Sequence, residues 1–106
     1  MVGRPHKLRV PDTVASLIRS MHPQLKRKVK AALQSIQTDP AVGKALKDEL
    51  AGLRSFRLNR FRIMYRVERG QYIEIVAIGP RRSIYEETYR LINREEKGKE
   101  RATAPI

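Results

Sequence analysis

The sequence predicts an α+β domain: an N-terminal strand and a helical hairpin packed on a small antiparallel sheet, with a C-terminal helix after it. Three observations carry that expectation. Apolar residues recur with a helical period between residues 12 and 36. The period switches to two at Ser55. A nearly unbroken apolar run over residues 72–78 then ends in Gly79-Pro80 before a last helical pattern. The helices are expected against one face of the sheet.

Taken in order, residues 6–10 (HKLRV) read as a short first strand ended by Pro11. Asp12 or Thr13 is placed to cap a helix whose Val14, Leu17, Ile18 and Met21 fall on one face. His22-Pro23 interrupts it, and Pro23 suits the first turn of a second helix with Leu25, Val29, Ala32 or Leu33, and Ile36 as its stripe. Asp39-Pro40 stops that helix. Phe56 and Leu58, a polar reversal at Asn59-Arg60, and then Phe61, Ile63, Tyr65 and Val67 predict a hairpin. Arg69-Gly70 predicts another turn, and residues 72–78 a central strand covered on both faces, with Glu74 as its one misfit. Ser83 and Glu86 have the spacing of a capping box, from which a helix is expected to run to about Ile92. Residues 1–92 are therefore expected to form one domain and residues 93–106 a polar, mobile tail.

The chain has 106 residues, room for about one domain of the usual ~100 to 200, so no second catalytic domain is expected. It has no cysteine, so disulfides, thiol nucleophiles and Cys-type zinc sites are excluded, and a reducing cytoplasm is expected. Two histidines, His6 and His22, make no metal site, and no cofactor is expected. The longest apolar run is far short of the ~18 residues of a membrane span, so no membrane partner is expected.

Charge is the functional clue. The formal net charge is +12, and residues 93–106 hold four bases and three acids, so nearly all of the excess lies in the folded body. Between Arg54 and Arg82 there are eight arginines and no lysine, offset only by Glu68 and Glu74. Arginine forks grip phosphate with two bonds, which lysine cannot imitate. Alternation along the strands sets Arg57 and Arg62 opposite the apolar face, while Arg81 leaves the central strand and Tyr85 starts the next helix. These four converge on one rim.

Two segments, LAGLRSFRLNRFRIMYRV at residues 50–67 and IEIVAIGPRRSIYEETYRLI at residues 73–92, resemble the RelE/ParE superfamily of type II toxin–antitoxin toxins, and RelE-like members in particular. The resemblance implies a RelE-like fold and a ribosome-dependent endoribonuclease that cuts messenger RNA and inhibits translation. By position it implies catalytic roles for Arg57, Arg62, Arg81 and Tyr85, and RNA contacts for Arg54, Arg60 and Arg82. It also implies a cognate acidic antitoxin, the ribosome and messenger RNA as partners, in a toxin–antitoxin hetero-oligomer. Many relatives carry histidine where this chain has Pro80, which removes a possible proton-transfer group. Two alternatives stand beside this reading, a ParE-like inhibitor of DNA gyrase and a non-catalytic basic nucleic-acid-binding relative.

The residues fit the chemistry unevenly. Cleavage by a 2′-hydroxyl needs a base, stabilisation of a phosphorane, and a proton for the leaving 5′-oxygen. Arginine suits the second task and Tyr85 the third, but no general base is evident.

Overall fold

The structure, a computed structural model, describes residues 6–68 and 72–103, with side chains described as far as Arg94. The turn expected at Arg69-Gly70 lies outside the described residues. Five strands form one sheet in the order β1-β5-β4-β3-β2, namely β1 Lys7–Arg9, β2 Lys44–Ala45, β3 Arg54–Leu58, β4 Phe61–Glu68 and β5 Tyr72–Pro80. All neighbours are antiparallel except β1, which pairs parallel to β5 with Leu8 opposite Ile73. Three helices complete the fold, α1 Asp12–Arg19, α2 Pro23–Thr38 and α3 Arg81–Thr103.

The sheet has two differently covered faces. Helices α1 and α2 lay Val14, Ile18, Val29 and Ile36 on Ile63, Tyr65, Ile73 and Ile75 to form the main core. Helix α3 seals the other face through Ile84 against Met64 and Ala77. The expectation that all helices share one face is therefore corrected: β5 is apolar on both faces because helices lie on both. Between Met64 and Tyr65 the pairing with β5 skips Val76, a bulge that turns Val76 and Ala77 both toward the α3 side.

Several local expectations change with this geometry. Pro11, not Asp12 or Thr13, stands at the cap position of α1, with no side-chain cap. At α2 the imidazole of His22 caps instead, its Nδ1 accepting from Gln24 N–H at 3.2 Å. The Ser83 capping box does not form, because α3 already starts at Arg81, whose amide donates to the Arg60 carbonyl at 2.9 Å. Helix α3 also continues past Ile92 to Thr103, through a stretch rich in Glu, Lys and Arg, all good helix formers. Glu74, the misfit of the central strand, accepts from Arg66 across the β4–β5 pair at 2.7 Å.

Candidate functional site

The β3–β4 hairpin turns in two residues, and Asn59 takes a positive φ of 55°, a conformation that asparagine tolerates better than most. That tight reversal brings the end of β3 level with the end of β5, since Phe61 pairs with Leu58 on one side and Pro80 on the other. The Arg60 carbonyl then receives the first amide of α3, which ties the turn to the helix start. The result is a cavity of about 320 Å³ lined by Arg57, Asn59, Arg60, Pro80, Arg81 and Arg82. Four guanidinium groups thus meet around one opening, and none of the lining residues is acidic.

Arg62 stands next to them. It lies directly across from Arg57 on one neighbouring strand and from Gly79 on the other. Like charges directly opposite on adjacent strands destabilise a sheet, so the Arg57–Arg62 pair is a local cost in the absence of an anion. A Cβ at Gly79 would meet Ile84 Cδ1 at 3.0 Å and Glu87 Oε2 at 3.7 Å, so the strand passes close under the first turns of α3 there. Arg62 is half-buried, its NH1 reaches Ser55 Oγ at 3.4 Å, and its Nε is buried with no hydrogen-bond partner among the described residues. A buried donor without a partner costs about 1–3 kcal/mol. A ligand that accepts hydrogen bonds and carries negative charge would offset both costs.

Tyr85 is half-buried on the first turns of α3 and packs against the cluster of Met64, Ala77 and Ile84. Its ring sits on the α3 side of the sheet, the side that also carries Arg62 and Met64. Below it, Thr88 is buried and donates to the Ile84 carbonyl at 2.6 Å.

Arg54 stands apart from the other arginines. It shares the face of Phe56 and Leu58, and its NH1 donates to the carbonyls of Gly43 at 2.6 Å and Ala41 at 3.3 Å. That guanidinium fastens the loop before β2. Alternation held this signal, because Arg54 and Arg57 stand three positions apart and so point to opposite faces. Two residues without a predicted role enter the site, Ser55 as the buried acceptor under Arg62 and Asn59 in the cavity wall. Among the described residues no group of three or more His, Cys, Asp and Glu gathers to hold a metal, and no helix is long and apolar enough to cross a membrane.

A family model described as the ParE toxin of type II toxin–antitoxin systems, parDE, matches residues 12–85. Among solved structures, the chain is similar to the toxin–antitoxin complex RelBE2 of Mycobacterium tuberculosis, with 28% identity and a TM-score of 0.63 over 73% of this chain and 99% of that one. It also shares its fold with a free arginine-to-alanine mutant of the Escherichia coli toxin RelE, at 15% identity and a TM-score of 0.68, over 85% and 97% of the two chains. A YoeB dimer of Staphylococcus aureus matches at 22% identity and a TM-score of 0.55, over 69% and 92%. No curated protein matches the chain.

Proposed function

Because the chain belongs to the ParE toxin family of type II toxin–antitoxin systems, within the RelE/ParE superfamily, we propose that it is a RelE-like, ribosome-dependent endoribonuclease that cuts messenger RNA and so inhibits translation. The observation that carries this reading is the meeting of Arg57, Arg60, Arg81 and Arg82 around one cavity, beside the unpaired Nε of Arg62.

In this reading the message enters with its scissile phosphate among the guanidinium forks. The 2′-hydroxyl attacks phosphorus, a bond forms to the 2′-oxygen, and the bond to the 5′-oxygen breaks to leave a cyclic phosphate. Arg62 and Arg81 stabilise the extra negative charge of the phosphorane, and Arg57 supports them from the neighbouring strand. Tyr85 supplies the proton that the 5′-oxygen takes up on leaving. The 2′-proton passes to solvent water, because the cavity lining carries no histidine or carboxylate to take it. Bending of the message by the ribosome into an attack geometry then supplies much of the rate, because positioning alone can be worth ~7–11 kcal/mol.

An acidic antitoxin is the partner this body requires, in a toxin–antitoxin hetero-oligomer. Support comes from the net +12 and from the similar M. tuberculosis structure, which is a toxin–antitoxin complex. A second reading, inhibition of DNA gyrase by binding, is favoured by the family description itself. One experiment separates them: purified protein is added to a translation reaction with message ends mapped, and to a gyrase supercoiling reaction. Cuts within the ribosomal A site with gyrase unaffected support the nuclease. Intact message with blocked supercoiling overturns it in favour of the second reading.

A further inference from the structure

The cavity is strongly one-sided in its hydrogen bonding. Arg57, Arg60, Arg81 and Arg82 present donors only, Pro80 offers no side-chain polar atom, and the Arg60 carbonyl is already engaged by the Arg81 amide. Such a lining satisfies phosphate oxygens and the acceptor edges of bases, but it leaves an exocyclic amine unpaired. Asn59 is the exception. Its carboxamide is the one side chain in the lining that accepts a hydrogen bond as well as donating one. It is exposed, stands at the tip of the β3–β4 turn, and is held there by a backbone locked to the start of α3.

Resting on the nuclease reading, we propose that Asn59 reads a base of the bound RNA, its Oδ1 accepting from the exocyclic amine of an adenine or cytosine while its Nδ2 donates to the adjacent ring nitrogen. Uracil offers no amine, and guanine presents its O6 and N7 acceptors to arginine equally well. Adenine and cytosine, whose amine lies beside a ring nitrogen that accepts, are therefore the bases that only Asn59 completes, whereas guanine's amine lies beside a ring N–H. In single-stranded RNA these edges are splayed and open to such contact. The apolar ring of Pro80 in the same lining gives the base face a surface to rest on.

The test uses the full chain and 2′-O-methyl hexanucleotides, which bind but cannot be cut, with affinity read by fluorescence anisotropy at fixed salt. The wild type is expected to bind the A and C hexamers about tenfold more tightly than the U hexamer, the discrimination typical of one good base contact. Asn59→Gly keeps the positive φ available and removes the carboxamide, so the fold is retained, which the thermal midpoint checks. It is expected to equalise the hexamers. Equal binding of all hexamers by the wild type, absence of binding, or a preference that survives Asn59→Gly overturns the assignment. Failure of the nuclease reading shows separately, as uncut message in the translation reaction with the hexamer preference intact.

Discussion

Arg62 combines two costs that a purely structural residue would avoid, a like charge opposite it and a buried donor without a partner. Under the nuclease reading, Arg62→Ala or Arg81→Ala is expected to slow message cleavage by about 10² to 10³ while the thermal midpoint holds. Unimpaired cleavage by the double variant contradicts the assignment. Tyr85→Phe divides chemistry from packing, since its ring contacts survive and its proton does not; cleavage is expected to fall with it. Tyr65 is the opposite kind of tyrosine. Its hydroxyl donates to the Pro40 carbonyl at 2.7 Å and accepts from Gly43 N–H at 2.9 Å, and burial pushes its pKa above the usual 10.0. The unfolded chain therefore releases this proton before the folded one does. Stability from this group is complete below pH 10 and declines as pH rises through the folded-state value. Tyr65→Phe should lower stability by about 1–3 kcal/mol at neutral pH, because two backbone groups lose their partner. It should also flatten the alkaline decline in chemical denaturation.

At the level of elements, the α3 start is the hinge of the site, since Arg81, Arg82 and Tyr85 all ride on it. Ile84 is fully buried beneath it, against Met64 and Ala77. Ile84→Ala is expected to cost about 2–5 kcal/mol. It should also reduce cleavage more than an equally destabilising change on α2, such as Val29→Ala, whose core lies on the far face. Equal losses would show that α3 does not set the site's geometry. The β3–β4 hairpin was legible because strand alternation and the Asn59-Arg60 reversal are both local signals. So were α1 and α2, whose Val14, Ile18, Val29 and Ile36 meet the sheet as expected, although Leu17, expected on the buried face of α1, is exposed. What sequence could not show depended on partners far along the chain. Strand β2 is two residues long and carries no period, and β1 takes its direction from β5. The Ser83 signal misled because the Arg60 carbonyl meets the helix two residues earlier. Of the four residues that the sequence set on one rim, Arg57 and Arg81 line the cavity while Arg62 and Tyr85 lie outside its lining, and the inclusion of Asn59 and Ser55 required the turn and the register.

For the molecule as a whole, a net charge of +12 concentrated in the body predicts association dominated by counterion release. If the four cavity arginines each neutralise a phosphate, the logarithm of RNA affinity should fall with the logarithm of salt with a slope of about −3. A flat dependence would show that the arginines do not engage the backbone. The parallel seam between β1 and β5 has a different kind of consequence. Strand β1 leaves the ribosome before the rest of this sheet but pairs with its last strand, β5, so that edge stays open until β5 has been synthesised. Pairing of this long range is slow to nucleate, because the intervening loop must close before any contact rewards it. Birth of the active shape is thereby delayed to the end of translation, and a partner made alongside the chain has that interval in which to reach it first.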